Sequence, residues 1–245
     1  MIHLAIIGGT GLTRLEELDP GRREGTITPF GELSAPLTFG RYAGMEIVFL
    51  PRHGDGHVIP PHRINYRANI RALKDCGVER ILAVNAVGGI TGEMTPCRIV
   101  IPDQIIDYTW GRKHSFFEDG PEVSHIDFTR PYAGPLRETL LKAAREAGVD
   151  VVDRATYGAT QGPRLETAAE IDRMERDGCD IVGMTGMPEA ALAREVDLDY
   201  ACIAVVVNWA AGKTEKEITM DEIKKNLGQG MADVQRLLQA IIASL

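Results

Sequence analysis

Apolar residues fall along this chain in two kinds of stretch, which alternate from one end to the other. In the first kind they cluster in short runs, as in strands buried within a sheet. These strand-like runs lie at 4–7, 38–41, 46–50, 80–87, 99–107, 149–159, 180–184 and 200–207. In the second kind they recur three or four positions apart, as on one face of a helix. These helical stretches lie at 65–76, 136–147, 168–176, 188–195 and 219–245.

The alternation of strands and helices predicts a single α/β domain over residues 1–245, with a largely parallel or mixed sheet. A hairpin turn is expected at Ala43 and Gly44, where two strand-like runs are separated by a short polar link. The segment 108–131 is polar and aromatic and shows no period. An irregular stretch of this length inside a compact domain is often functional or an interface.

The first strand-like run stops abruptly at the sequence G-G-T-G at 8–11. Open α/β sheets bind ligands at the carboxyl ends of their strands, and glycines let the backbone approach an anion closely. The motif is neither a dinucleotide fingerprint, since Arg14 holds the place of the third glycine, nor a Walker loop. It therefore indicates either an anion site or only a tight turn.

Polar residues follow or interrupt two other strands. Arg52 and His53 follow the run at 46–50, and a guanidinium suits phosphate oxygens through its paired N–H donors. A solvated loop with a chance histidine is the alternative. Asn85 interrupts the apolar run at 80–87 and must find hydrogen-bond partners, either in neighbouring backbone or in a ligand.

Composition narrows the class of protein. The chain is 44% hydrophobic and 25% charged, as in a soluble globular protein, and its net charge of −8 argues against a general nucleic-acid surface. Four cysteines lack metal-ligand spacing, so neither zinc nor a disulfide framework is expected, and Cys179 and Cys202 are expected to be reduced core thiols. With no leader and no membrane span recognised, a cytoplasmic protein without a membrane partner is expected.

Seven motifs occur in register along nearly the whole chain. They are I-G-G-T-G at 7–11, R-H-G at 52–54, N-Y-R-A-N-I at 65–70, N-A-V-G-G at 85–89, P-D-Q at 102–104, Q-G-P-R-L-E-T at 161–167 and M-T-G-M-P-E at 184–189. Together they resemble the trimeric purine nucleoside phosphorylase family, and its methylthioadenosine phosphorylase branch most closely. The resemblance implies a phosphorylase/hydrolase-like α/β fold with a mixed, twisted central sheet flanked by helices, and a homotrimer.

The same resemblance implies a purine-salvage transferase that cleaves a nucleoside with inorganic phosphate, giving a free purine and a pentose 1-phosphate without metal or organic cofactor. It places phosphate against Thr10, Arg52, His53, Asn85, Ala86 (through its backbone N–H) and Thr185. It also places Met184 against the sugar, while His125 would reach the site of a neighbouring subunit. Asn85 stands where the methylthioadenosine branch commonly has a hydroxyl residue.

The base-binding residues depart from the adenine-specific branch. Asn208 and Ala210 stand where that branch carries two aspartates, and Leu165 stands where the family usually has a stacking phenylalanine. Hypoxanthine presents a carbonyl and an N1–H; Asn208 can donate to the carbonyl or to N7, and Glu166 can accept from N1–H. This pair resembles that of phosphorylases acting on 6-oxopurines. The alternative is a capping amide at Asn208 and a solvent-facing carboxylate at Glu166.

Catalysis is therefore expected from Asn208 and Glu166, which stabilise the leaving base, and from His53 at the phosphate. Met220 and Ile223 share a helix face where the methylthio branch lines its sugar pocket, although ordinary core packing explains them equally well. The combined expectation is phosphorolysis of S-methyl-5′-thioinosine. A methylthioadenosine or broader inosine/guanosine phosphorylase, and a non-catalytic nucleoside or phosphate sensor, are the alternatives.

Overall fold

The apolar run that begins the chain forms the middle of a large sheet in the computed structural model, which describes residues 3–15, 17–132 and 134–245. The strands are β1 (Leu4–Gly8), β2 (Asp19–Glu24), β3 (Ile27–Thr28), β4 (Gly31–Glu32), β5 (Leu37–Tyr42), β6 (Met45–Pro51), β7 (Arg80–Gly89), β8 (Ile99–Val100), β9 (Gln104–Asp107), β10 (Val151–Val152), β11 (Thr156–Ala159), β12 (Ile181–Gly183) and β13 (Asp199–Trp209). The helices are α1 (Tyr66–Asp75), α2 (Pro135–Glu146), α3 (Ala168–Arg176), α4 (Gly186–Glu195) and α5 (Met220–Ser244), with a 3-10 turn at Pro61–Arg63.

The main sheet has eleven strands and is mixed. Its path runs β10-β8-β13-β7-β1-β6-β5-β2, with β13, β7, β1 and β6 parallel to their neighbours in this central part. A second branch leaves β7 through the antiparallel strand β12 and continues to β11 and β9. The carboxyl ends of the central strands consequently meet at one edge of the sheet.

Two layers of helices cover the sheet, because alternate residues of each central strand face opposite sides. Ala5 and Ile7 of β1 pack in the same apolar cluster as Ile70 of α1. Leu4 and Ile6 pack in the cluster that contains α2 and α5. Burying one such side chain stabilises the fold by about 1.5–3 kcal/mol, which explains why this strand carries no polar residue.

The fold class and most elements agree with the sequence prediction. The hairpin turns through Ala43 and Gly44, both with positive φ, and the run at 99–107 breaks into β8 and β9 at Pro102. The run at 149–159 is two short strands rather than one, because 153–154 is exposed. Strand β2 was not predicted, since all six of its residues are exposed and its sequence carries no apolar alternation.

The irregular segment 108–131 contains neither helix nor strand, as expected. The cysteines are all free thiols, and Cys179 and Cys202 are buried in agreement with the prediction. In the part of the chain that the structure describes, no helix combines the length and apolar character that crossing a membrane requires.

Candidate active site

A cavity of about 420 Å³ opens at the carboxyl ends of the central strands. Every site residue expected from the sequence lines it, with the exception of His125. These lining residues are Thr10, Arg52, His53, Asn85, Ala86, Leu165, Glu166, Met184, Thr185, Asn208, Ala210, Met220 and Ile223. His125 is exposed in the irregular segment and lies outside the cavity of its own chain.

Gly9 allows the chain after β1 to lie close to the backbone of β7 and to the side chain of Arg52. A Cβ atom on Gly9 would lie 2.5 Å from the Val84 carbonyl oxygen and 2.8 Å from Nη1 of Arg52. Both distances are shorter than real side-chain carbons adopt, so this position accepts only glycine without a shift of the β7 backbone. Gly9 therefore allows the end of β1 to pack closely against the β7 backbone and the Arg52 side chain, and Gly9 and Thr10 form part of the cavity wall.

Arg52 is buried in an ion pair with Glu189, a residue that the sequence analysis did not single out. The guanidinium is 0% exposed and donates from Nε and Nη2 to the two Glu189 oxygens, each over 2.7 Å. Burial alone would lower the pKa of Arg52, but the Glu189 carboxylate raises it above its ordinary value. The paired donors expected to face phosphate are thus bound to Glu189, which corrects that part of the sequence interpretation.

Asn85 links this ion pair to Thr185 at the start of α4. Its Oδ1 accepts from Nη2 of Arg52 over 3.3 Å, and its Nδ2 donates to Oγ1 of Thr185 over 2.8 Å. Because Thr185 Oγ1 accepts that bond, its hydroxyl proton is available to a ligand. The partners of Asn85 are therefore side chains, and the residue also lines the cavity.

His53 is held in one tautomer by the loop that follows it. Its Nδ1 lies 2.8 Å from the carbonyl oxygen of Ile59, which can only accept, so Nδ1 carries the hydrogen. Burial and the nearby Arg52 charge lower the pKa of His53 to about 4. The ring is consequently neutral near pH 7, and Nε2 is an acceptor.

Glu166 and Asn208, which the sequence analysis assigned to base binding, both line the cavity. Glu166 accepts a hydrogen bond from the Thr160 hydroxyl over 2.6 Å, and burial raises the pKa of its carboxyl. Asn208 donates from Nδ2 to the Trp209 carbonyl over 2.8 Å. Its Oδ1 accepts no hydrogen bond from the described residues, so one amide hydrogen and one acceptor remain for a ligand.

The sequence left open that Glu166 is only a solvent-facing carboxylate and that Asn208 is only a capping amide, and these contacts bear on both alternatives. Glu166 is partly buried in the cavity wall and does not face bulk solvent. Asn208 does bond to neighbouring backbone, as a capping amide would, yet it also lines the cavity. A register shift between Val206 and Asn208 in the β13–β7 pairing turns the strand end at this point.

Apolar side chains form another part of the cavity wall. Met220 and Ile223 both lie at the beginning of α5, and Ile218 accompanies them. Ile223 is buried, whereas Met220 is 60% exposed. Leu165 is 43% exposed on the cavity rim. An exposed apolar side chain beside a cavity is not needed for core packing, which favours a ligand-binding role for Met220.

Arg112 supports the cavity wall, and the sequence analysis did not identify it. It is buried and donates to the carbonyl oxygens of Met184, Met187, Thr160 and Gln161, over 2.6–3.0 Å. Arg112 thereby ties the segment that carries Met184 to the segment that precedes Glu166. Its position in an irregular stretch left no periodic signal, whereas Glu189 stood inside the M-T-G-M-P-E motif and could have been found there.

Comparison with known proteins identifies the family to which this chain is similar. Residues 3–243 match the family described as the Phosphorylase superfamily. The chain is 55% identical over 245 residues to a probable S-methyl-5′-thioinosine phosphorylase from Pseudomonas syringae pv. tomato, covering 100% of both chains. It is 46% identical over 249 residues to the 6-oxopurine nucleoside phosphorylase of Pyrococcus furiosus, covering 99% of this chain and 92% of that one.

A solved structure agrees in fold. The methylthioadenosine phosphorylase from Schistosoma mansoni in complex with adenine superposes with a TM-score of 0.94 at 33% identity, covering 99% of this chain and 91% of that one. The family match spans nearly the whole chain, and the cavity lies at the strand ends where α/β sheets bind ligands. The chain therefore belongs to the Phosphorylase superfamily.

Proposed function

We propose that this protein catalyses phosphorolysis of S-methyl-5′-thioinosine, releasing hypoxanthine and 5-methylthioribose 1-phosphate. The observation that carries the proposal is that the pair of Glu166 and Asn208 shares one cavity with the apolar side chains of Met220 and Ile223. The name of the Pseudomonas syringae relative supports the same reaction. The protein would then act as a pentosyltransferase with inorganic phosphate as the acceptor.

In the reaction, the bond between C1′ of the sugar and N9 of the purine breaks, and a bond from C1′ to a phosphate oxygen forms. The electron pair of the broken bond stays on the purine, and the proton of hydrogen phosphate balances it on the released base. No covalent enzyme intermediate is needed. The protein contributes orientation of the anion and hydrogen bonds to the charge that builds on the base.

The base contacts follow from the donors and acceptors in the wall. The free amide hydrogen of Asn208 can donate to the 6-carbonyl or to N7, and a Glu166 carboxylate can accept from N1–H. Adenine has no N1–H, and it presents an amino group at the position where hypoxanthine presents the carbonyl. A buried site that loses one such hydrogen bond can discriminate by large factors.

The sugar end favours a methylthio group over a hydroxyl. Ile223 and Ile218 offer no hydrogen-bond partner, and a buried hydroxyl without one is destabilised by about 1–3 kcal/mol. Met184 would lie against the ribose, with Thr10, Arg52, His53, Asn85, Ala86 and Thr185 around the phosphate. Leu165 and Ala210 would pack against the base.

Three features of the assembly belong to the same proposal. The chain acts as one domain without metal or organic cofactor, and it forms a homotrimer in which His125 reaches a neighbouring subunit's site. The exposure of His125 outside its own cavity is compatible with that role. The protein would work in the cytoplasm, on small nucleosides, with no nucleic-acid or membrane partner.

Two neighbouring activities are the competing candidates. The Schistosoma mansoni structure favours methylthioadenosine as substrate, and the Pyrococcus furiosus relative favours 6-oxopurine nucleosides more broadly. A non-catalytic nucleoside or phosphate sensor is the candidate from another class. The retained set of Arg52, His53 and Thr185 argues against a nucleoside sensor, because binding a nucleoside alone does not require a phosphate subsite beside the sugar.

The test is purine release from methylthioinosine, methylthioadenosine and inosine, each with and without phosphate. We expect phosphate-dependent release of hypoxanthine from methylthioinosine, with methylthioadenosine inert. Adenine release would refute base selection by Asn208, and equal activity on inosine would refute the apolar sugar pocket. Release without phosphate would indicate a hydrolase, and no release from any of the three would favour a sensor.

A further inference from the structure

We infer that Asn226, a residue of α5 that lies outside the cavity wall, is a positioning residue for base recognition. It holds the peptide unit that leads into Asn208 and so sets where the Asn208 amide meets the purine. Asn226 acts through the backbone of β13, without touching the substrate. The inference rests on the proposed function, because that function assigns base binding to Asn208.

The side chain of Asn226 is bonded to the backbone immediately before Asn208. Its Nδ2 donates to the carbonyl oxygen of Val207 over 2.8 Å, and among the described residues no other side chain donates to that oxygen. A peptide unit is planar, so the carbonyl of Val207 and the N–H of Asn208 lie in one plane. Holding the carbonyl therefore holds the orientation in which the backbone enters Asn208.

The bonded carbonyl belongs to the irregular position of β13. In the pairing with β7, Val206 and Asn208 each have a partner, and Val207 is an extra residue between them. An extra residue of this kind interrupts the ladder and changes the direction of the side chains beside it. Asn208 follows directly and lines the cavity. The bulge is thus the local feature that presents Asn208, and Asn226 is bonded to it.

Backbone hydrogen bonds already hold the residue that precedes the bulge. The N–H of Cys97 donates to the Val206 carbonyl over 2.8 Å, and the N–H of Val206 donates to the Arg98 carbonyl over 3.0 Å. The bond from Asn226 extends this support to the next peptide unit, the one that leads into Asn208. Removing the Asn226 donor would therefore loosen the bulge at Asn208 while the strand before it stays in place.

The same bond relates the base contact to the apolar wall on α5. Asn226 lies three residues after Ile223, so the two side chains share one face of the helix, and Ile223 lines the cavity. The next residue, Leu227, packs so closely on the end of β1 that a Cβ atom on Gly11 would lie 2.7 Å from it. Since α5 is fixed in this way, the Asn226 bond sets the strand end that carries Asn208 relative to the wall that carries Ile223.

The experiment is a double-mutant cycle between Asn226 and Asn208, measured as kcat/KM for phosphorolysis of methylthioinosine. Asn226→Leu has a similar volume and no donor. We expect it to lower kcat/KM at least about tenfold, mainly through kcat, because the Asn208 hydrogen bond strengthens as charge builds on the leaving base. In the Asn208→Ala background the same substitution should change kcat/KM by less than about twofold, since no amide is left to position.

Two further variants separate positioning from a general loss of packing. Asn226→Asp keeps the shape of the side chain but offers only acceptors to the Val207 carbonyl, so it should lose activity as Asn226→Leu does. Asn226 is partly exposed, so both of its variants should fold. Gln229→Leu is the matched control. Gln229 follows Asn226 by three residues on α5, accepts from the Cys97 thiol over 3.1 Å and lies outside the cavity, so this variant should keep the wild-type kcat/KM.

A merely structural role would give equal losses in the wild-type and Asn208→Ala backgrounds, and that result would overturn the inference. Wild-type kcat/KM in Asn226→Leu or Asn226→Asp, or an equal loss in Gln229→Leu, would overturn it as well.

The same cycle can be measured without turnover, as the Kd of free hypoxanthine by calorimetry. Asn226→Leu should weaken hypoxanthine binding at least about threefold when Asn208 is present, and should leave it unchanged in the Asn208→Ala background. An equal effect in both backgrounds would again overturn the inference. Because this measurement needs no reaction, it tests Asn226 even if the wild type releases no hypoxanthine from methylthioinosine, which is the failure of the proposed function.

Discussion

Replacing Glu189 by glutamine should destabilise the protein strongly, although the residue stands behind the cavity wall. Its carboxylate accepts three hydrogen bonds, two from Arg52 over 2.7 Å and one from the Tyr200 hydroxyl over 2.8 Å. The side chain is 1% exposed. A glutamine amide has nearly the same shape, but it leaves the guanidinium charge uncompensated and turns an NH₂ group toward N–H donors.

The magnitude follows from burial of both partners. Removing one partner of a buried ion pair costs about 3–5 kcal/mol of the free energy of unfolding. In a chain of this size, 1 kcal/mol shifts Tm by about 2–4 °C, so the expected fall is about 6–20 °C. Tyr200→Phe is the matched control, since it removes only a neutral donor to the same carboxylate and should cost about 1–2 kcal/mol.

The assay is urea unfolding, with the free energy of unfolding taken from the midpoint and slope. Arg52→Met and the double variant Arg52→Met/Glu189→Gln complete a cycle with Glu189→Gln, in which the double loss should be smaller than the sum of the single losses by at least about 2 kcal/mol. A loss below about 1 kcal/mol for Glu189→Gln, or additive losses in the cycle, would refute the reasoning that this pair is a coupled buried charge.

Three further predictions concern the cavity. Asn208→Asp should shift preference toward 6-aminopurine nucleosides, measured as the ratio of kcat/KM for methylthioadenosine and methylthioinosine; an unchanged ratio would contradict the base-recognition reasoning. Thr160→Val removes the hydrogen bond that favours the charged form of Glu166, so its raised pKa should rise further and the acidic limb of kcat/KM should move to higher pH; a fixed limb would show that Glu166 ionisation does not control the rate. Arg112→Lys should raise nucleoside KM about tenfold, because one ammonium cannot bind all four carbonyl oxygens; a wild-type KM would show that the two segments hold their places without it.

Elements were predictable where their pattern is long and their burial is complete. Strands β1, β7 and β13 lie in the middle of the sheet, and their apolar runs reflect burial on both faces. The exposed edge strand β2 buries nothing, so no apolar pattern marks it, and it forms because its backbone pairs with β5. The failure at β2 and the success at β1 have the same cause, since only burial imposes a pattern.

The candidate site was predictable as a set of residues but not as a set of contacts. The residues expected from the motifs, with the exception of His125, line one cavity at the carboxyl ends of the central strands. Arg112 could not be recognised, because it acts from an irregular segment on backbone carbonyls that any residue would present. Glu189 could be seen in its motif, but not as the partner of Arg52.

By itself, the sequence determined the order of strands and helices and the glycines at strand ends, because these depend on local patterns of apolar and polar residues. Its motifs indicated which groups gather there only through their resemblance to a known family. The tertiary structure alone decided how those groups are used. Arg52 meets Glu189 across 137 positions of the chain, and His53 receives its tautomer from the carbonyl of Ile59. Charge compensation and proton placement arise between groups that only the packed fold brings within hydrogen-bond distance, so no local pattern encodes them.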